Sequence, residues 1–318
     1  MPSMKSRLHQ SDTRHWMLLF SSIGITLLAA EACFRFFIVQ PDSFNFTLVS
    51  KSWRHRYWKP INSRGYRDKE HSPMQLTGKK IVLAVGDSFA AGHGIEAAEQ
   101  RFPDVLQSLM GREWEVINIS KEGWDTSDEY AALSSYPASP DVIILSYYLN
   151  DITKAASRRG SIPPGVVSQA PFGVRSLIDR SYFFNYLYWR YYRWSRAFIG
   201  ESYWNYLKNS YNRPDIWKAH QDELLKIIEF SKHKKARIIF LIFPHLRYLE
   251  ESEAMTQKIE TFAKAHHVET INLSGHFRGR NYKTLMVNSQ DSHPNASVHR
   301  EVGELLAAVL KQSPPGLR

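Results

Sequence analysis

Five short runs of β-branched and aliphatic residues set the pattern of this chain. They are Ile81–Val85, Trp114–Ile119, Val142–Leu145, Ile238–Phe243 and Val268–Leu273, and each gives way to small or polar residues. Continuous apolar runs of this length, with no alternation, read as strands buried on both faces of a parallel sheet. Helical spacing lies between and after them: Phe102, Val105, Leu106 and Leu109; the stretch 250–266; and Val298, Val302, Leu305, Leu306, Val309 and Leu310. Strands alternating with helices predict βαβ units with helices on both faces of one sheet. The carboxyl ends of such strands share one edge, where ligands of open α/β sheets bind.

The residues that fall on that edge are chemically selective. The first run ends at Gly86-Asp87-Ser88, followed by small residues (Ala90, Ala91, Gly92, Gly94) with Phe89 the bulky exception. Gly-Asp-Ser alone is also an ordinary turn sequence. The second run leads to Gly123, the third to Asn150-Asp151, and past the fifth comes Asp291-Ser292-His293-Pro294-Asn295. A serine, a histidine near a carboxylate, a backbone N–H and a side-chain amide are the parts of acyl-transfer chemistry. His293 can take the proton of the weakly nucleophilic Ser88 hydroxyl, and a carboxylate can hold the imidazole tautomer. The N–H groups of Ser88 and Gly123 and the amide of Asn150 can serve as oxyanion donors.

In this arrangement Gly86-Asp87-Ser88-Phe89, Asn118 with Gly123, Asn150-Asp151 and Asp291 to Asn295 resemble the four blocks of the SGNH (GDSL) hydrolases. The resemblance covers about residues 62–311, and Asn62–Glu70, Arg101-Phe102-Pro103 and His299-Arg300 resemble a membrane-anchored bacterial branch. It implies a three-layer α/β/α sandwich on a parallel, flavodoxin-like five-stranded sheet. It also implies Ser88 as nucleophile, His293 as base, and Ser88, Gly123 and Asn150 as the oxyanion hole. The family's usual acid stands three residues before the histidine, where this chain has Gln290. Asp291 is assigned as the orienting acid; the alternative is that Gln290 or a backbone carbonyl holds His293, leaving a Ser–His dyad. Asp87 is expected to shape the nucleophile turn, Asp151 to brace its loop, and His93 to line the pocket. His93, His245, His266, His267 and His299 offer no metal-binding spacing and no evident carboxylate partner. No metal and no cofactor are expected.

The N-terminal region is of another kind. Residues 1–15 are polar with Lys5, Arg7 and Arg14, and 16–39 are mostly apolar, with Glu31 and Arg35 at the i, i+4 spacing of a helical ion pair. About 20 such residues span a bilayer, so 16–39 is read as a transmembrane anchor and 1–15 as a cytoplasmic tail. The catalytic domain is then periplasmic or extracellular. Two alternatives are a signal peptide cleaved at Ala30-Glu31-Ala32 and a lipoprotein attached through Cys33, for which Glu31 is a poor fit. Cys33 is the one cysteine, so the chain has no internal disulfide. Residues 40–79 read as a linker and docking segment without a periodic element, and Asn62–Glu70 as a surface turn. The hydrolase domain is placed at 80–312 and a tail at 313–318. The net charge of +10 is dispersed, with no nucleic-acid motif, and suits an anionic membrane or glycan surface.

An insertion of about 152–215 separates the third and fourth strands, longer than a crossover needs. It carries the aromatic run Tyr182–Trp194. That run is read first as a helical cap on the domain, with sugar stacking and a membrane-interface position as functional alternatives. The expected activity is that of a membrane-anchored serine esterase acting on O-acyl, including acetyl, groups of a carbohydrate or lipid. The same acyl-enzyme also suits an O-acyltransferase, and a catalytically silent glycan-binding or scaffold protein is the reading from another class.

Overall fold

A computed structural model describes residues 4–165 and 169–312. The expected tail 313–318, the first three residues of the N-terminal tail and positions 166–168 of the insertion lie outside the described residues. The chain clusters into two compact units, residues 1–54 with 167–196, and residues 55–166 with 197–318. The division runs through the expected linker at Arg54 and through the expected insertion on both sides of the aromatic run.

The larger unit holds the five-stranded parallel sheet: β1 (Lys80–Gly86), β2 (Trp114–Ser120), β3 (Val142–Tyr147), β4 (Arg237–Ile242) and β5 (Glu269–Asn272). Their spatial order is β2-β1-β3-β4-β5, the flavodoxin-like order, with a topological switch between β1 and β3. Register keeps β1 and its neighbours aligned at the edge that matters, Gly86 lying opposite Ser120 on one side and Ser146 on the other.

Side chains alternate between two apolar layers. Leu83, Val85, Ile143, Leu145 and Phe240 meet Leu224, Ile227, Ile228 and Ile259 on one face. Val82, Ala84, Ile144 and Leu241 meet Phe102, Leu106, Val302 and Leu306 on the other. Both faces being covered explains why the strands read as unbroken apolar runs.

Helix limits follow local chemistry. Pro103 opens helix Phe102–Met110, and Gly111 ends it. Helix Thr126–Ser135 is capped by the Asp125 side chain, which accepts from Ser127 N in a capping box with Asp128. Two elements go beyond those expected. Residues 40–79 contain helix Leu48–Tyr57, which buries only Val49, Ser50 and Trp53. So narrow an apolar stripe among Lys51, Arg54 and Arg56 gives little periodic signal. The block around His293 is a strand, β7 (Asp291–Pro294), paired antiparallel with β6 (Met286–Asn288). Asn288 Oδ1 accepts Gln290 N at 2.7 Å across the turn, an Asx turn.

Asn62–Glu70 is a surface turn only at its start, where Gly65 N donates to Asn62 O and Ser63, Arg64 and Gly65 are exposed; the rest is docked into the domain. Asn62, Arg67 and Asp68 are buried. The Arg67 guanidinium donates to Gly92 O (2.6 Å), Ile95 O (2.7 Å) and Tyr57 O (2.9 Å). Asp68 Oδ2 accepts Asn118 N at 2.7 Å. The segment thus supplies charged partners to backbone groups of the loop after Ser88, of Tyr57 and of β2. In Arg67→Ala these carbonyls lose a buried charge-assisted donor, Gly92 O and Tyr57 O keeping only the N–H groups of Ile95 and Lys59, and a loss of about 3 kcal/mol is expected, measured as a lower urea midpoint at unchanged m-value.

Candidate active site

β1 stops at Gly86 because the chain must pass tight against β3. A Cβ at Gly86 would lie 2.8 Å from Ser146 Cβ. Asp87 then caps the short helical turn Ser88–Ala91, its Oδ1 accepting Phe89 N at 2.8 Å. This sets Ser88 at the first position of that turn, over the carboxyl end of β1, beside the switch point. Gly123 follows β2 with φ 75°, and Asn150 sits in the helical turn Leu149–Ile152 after β3. The three expected donors therefore come from three adjacent strand ends. The Asn150 amide donates to the buried Asp87 carboxyl.

β7 brings the remaining groups. In a strand, residues i and i+2 point to the same face, so Asp291 and His293 are presented side by side. His293 Nδ1 lies 2.6 Å from Asp291 Oδ1, and His293 Nε2 lies 2.9 Å from Ser88 Oγ. Asp291 Oδ1 also accepts His293 N at 3.1 Å. The spacing of two that departs from the family pattern is thus the natural one for a strand. Gln290 sits at the turn, with its amide 3.5 Å from Ser289 Oγ.

His93 was expected to have no evident carboxylate partner, and here it has two. Its Nδ1 pairs with Glu122, and its Nε2 lies 3.2 Å from Asp291 Oδ2. The two imidazole rings, His93 and His293, lie 4.4 Å apart, and Asp291 offers one oxygen to each. Gly94 permits this approach: φ is 83°, and a Cβ there would meet Val287 Cγ2 at 2.4 Å and stand 3.1 Å from Asp291 Oδ2. Sequence spacing could not reveal His93 and Glu122 as a pair, since they sit 29 residues apart on two different loops. Their shared location after adjacent strands was the available signal.

The carboxyl groups around the serine divide by environment. Burial pushes up the Asp87 carboxyl despite its bond from Phe89 N. Burial, with repulsion from Glu129 and Asp87, raises Asp151 well above its ordinary value, and Glu129 is raised in the same way. Asp151 Oδ2 accepts Tyr148 N at 3.0 Å, closing its own turn. Burial also works against ionised Asp291, but the His293 and His93 imidazoles overcome it and hold its carboxyl far below the usual range. Asp291 is therefore the carboxylate that stays ionised against His293. Burial disfavours charged His93, yet Asp291 and Glu122 push its pKa up to about 10.

His93, Asp291 and His293 have ligand atoms within 4.8 Å of one another, a spacing suited to a metal. In this arrangement both nitrogens of each ring and both oxygens of Asp291 are engaged in the line Ser88–His293–Asp291–His93–Glu122. Phe89 walls one side, stacked on half-buried Tyr148 at 4.0 Å and 5.4 Å from the His293 ring. His245 is half-buried and His299 buried, and desolvation lowers their pKa values to about 4 and about 3. His299 Nδ1 accepts Phe102 N at 3.1 Å, a packing role.

The profile of the GDSL-like Lipase/Acylhydrolase family matches residues 84–301. No curated protein matches the sequence. Among solved structures the chain is similar to TesA, with TM-score 0.46 and 16% identity over 73% of this chain and 98% of that one. It is similar to a carbohydrate acetylesterase family member from Sinorhizobium meliloti, with TM-score 0.42 and 15% identity over 73% and 97% of the two chains. It is also similar to the acetyl xylan esterase AlAXEase, with TM-score 0.44 and 15% identity over 72% and 99%.

The His93 pairing has a pH signature. Its pKa is raised from 6.5 to about 10, so folding holds a proton that the unfolded chain releases between these values. The stability contributed is complete below about pH 6.5 and falls as pH rises toward 10. The stability gap between the native chain and His93→Gln, measured by urea unfolding, is expected to be widest near pH 6 and to narrow steadily to pH 10. A gap independent of pH would mean that His93 is not held as the cation.

Proposed function

The chain belongs to the GDSL-like lipase/acylhydrolase family, and from that premise we propose that it is a membrane-anchored serine esterase. It removes O-acyl groups, acetyl among them, from a carbohydrate or lipid outside the cytoplasm. The observation that carries this reading is the unbroken line from Ser88 Oγ to His293 Nε2 (2.9 Å) and from His293 Nδ1 to Asp291 Oδ1 (2.6 Å).

In the proposed mechanism Ser88 Oγ attacks the ester carbonyl while His293 Nε2 takes its proton. Asp291 holds the Nδ1–H tautomer and stabilises the imidazolium. The oxyanion receives the Ser88 and Gly123 N–H groups and the Asn150 amide. Collapse breaks the bond to the alcohol, which leaves with the proton from His293. A water deprotonated by His293 then opens the acyl-enzyme, releasing the acid and restoring Ser88. His93 is a positioning residue in this scheme. It fixes the second oxygen of Asp291, so the carboxylate cannot rotate away from His293. Stacked Phe89 and Tyr148 form a compact wall at the reacting centre, which suits a short acyl group. A sugar hydroxyl attacking in place of water would make the same site an acyltransferase, a distinction set by the acceptor.

Anchoring rests on the helix Met4–Phe36, whose segment Thr13–Phe36 (24 residues) is long and apolar enough to cross a membrane. Retention of that helix is supported by Glu31. Its carboxylate accepts Ser181 Oγ at 2.7 Å and the N–H groups of Tyr182 and Phe183 at 3.1 Å each. Cleavage at the Ala30-Glu31-Ala32 site would remove the acceptor for all three.

With the full chain in detergent micelles and a short-chain aryl ester, turnover is expected to vanish in Ser88→Ala. A fall of about a hundredfold in kcat is expected for Asn150→Ala, and of about 10³ or more for Asp291→Asn. Turnover unchanged in Ser88→Ala would overturn the assignment of the nucleophile. Adding a sugar acceptor and identifying the acylated product separates transfer from hydrolysis.

A further inference from the structure

The aromatic run of the insertion has partners that its sequence does not reveal. Helix Tyr182–Ser195 is seated on the foot of the N-terminal helix. Glu31 caps its start through the three bonds above. Arg35 pairs with Glu31 (2.6 Å), donates to Arg180 O (2.9 Å) and lies 4.7 Å from the Tyr182 ring centre. Phe34 packs on Phe183 and Tyr186, with ring centres 5.4 and 5.0 Å apart. The segment that follows closes the collar. Gln40 Nε2 donates to Tyr186 OH at 3.1 Å, and Leu48 N to Asn185 Oδ1 at 2.8 Å. The expected cap on the α/β domain is thus built into the anchor's own unit.

This seating fixes depth. Glu31 stands five residues before the helix end at Phe36, roughly 8 Å along its axis. A bilayer crossed by Thr13–Phe36 must therefore end close to the start of the aromatic helix. That helix has two faces. Its buried residues are Asn185 and Trp189. Leu187, Tyr191 and Trp194 repeat at i, i+4 and i+7 on the opposite side, and they are 43%, 63% and 77% exposed. Phe172, Val174 and Leu177 of the preceding helix are exposed as well, as are Phe36, Phe37 and Phe44. The stretch 172–196 carries Arg175, Arg180, Arg190, Arg193 and Arg196 against one acid, Asp179.

Exposed aromatic and aliphatic side chains of this number mark an interaction surface. Trp and Tyr favour the membrane–water boundary, and arginines extend from an apolar stripe to phosphate groups. We propose that helix Tyr182–Ser195 lies in the interfacial layer of the bilayer that its anchor crosses, with Leu187, Tyr191 and Trp194 facing the acyl boundary and the arginines facing anionic headgroups. The occupant of this face is lipid because the helix is joined to the foot of a spanning helix whose apolar side chains (Leu18, Ile25, Leu28) are exposed, and because the stretch carries the charge opposite to an anionic leaflet. The proposal rests on the reading of Thr13–Phe36 as a spanning anchor.

The test uses the full chain with Cys33→Ser, reconstituted in phosphatidylethanolamine–phosphatidylglycerol vesicles. Spin labels are placed singly at Ile25→Cys, Tyr191→Cys, Trp194→Cys and His233→Cys, and collision with oxygen is compared with collision with a water-soluble nickel chelate. Labels at 191 and 194 are expected to favour oxygen at least threefold over the label at 233, though less than the label at 25. Labels at 191 and 194 that match 233, with 25 still lipid-exposed, overturn the interfacial helix alone. A label at 25 that matches 233 overturns the anchor reading beneath it. Folding of each labelled chain is checked by its retained aryl-ester turnover and circular dichroism. If one of positions 191 and 194 fails that check, Leu187→Cys on the same face replaces it under the same criterion.

Discussion

One buried carboxylate, Asp291, is shared between two imidazoles, and the rest of the site is arranged to make that sharing stable. Ionised Asp291 is fully buried, and a lone charge there would be strongly penalised. The His93 and His293 nitrogens relieve the penalty from both sides. The arrangement carries a cost. In the proposed mechanism His293 takes the serine proton and becomes a second cation beside His93, with rings 4.4 Å apart. At an effective dielectric of about 20 two such charges repel by about 4 kcal/mol. Asp291 between them and Glu122 behind His93 offset that repulsion, so Glu122 belongs to the electrostatics of the serine although it is far from it in the chain.

The fold delivers these groups through two different geometries. The parallel sheet places Ser88, Gly123 and Asn150 at the ends of β1, β2 and β3, which are neighbours in space. A short antiparallel hairpin supplies Asp291 and His293 at strand spacing. Between them the loop 89–96 is held by Arg67, whose guanidinium takes up the Gly92 and Ile95 carbonyls. Segments on either side of β1 thus meet on one backbone turn, and the position of His93 follows from that turn.

The strands were legible because burial on both faces writes itself as uninterrupted apolar runs, and their ends were legible because serine, glycine, asparagine and histidine are conspicuous there. What escaped had no periodic trace. Helix Leu48–Tyr57 buries too few side chains to register. β6 and β7 are three and four residues long, too short to show a period. The burial of Arg67 and Asp68 depends on backbone groups of distant loops, and backbone groups carry no sequence signature. The pairing of His93 with Glu122 and the seating of the aromatic helix on Glu31 are likewise long-range polar contacts. The Glu31–Arg35 spacing was visible as an ion pair, but its role as a cap for residues 150 positions away was not.

In the proposed mechanism Ser88 is made nucleophilic by His293 and its shared carboxylate. The most direct measurement is covalent trapping of the full chain with a p-nitrophenyl alkylphosphonate, followed by mass mapping of the modified peptide. One phosphonyl group per chain is expected, on Ser88, formed far more slowly in Asp291→Asn than in the native protein. An adduct on another residue, or labelling of Ser88 at the same rate in both proteins, would contradict it.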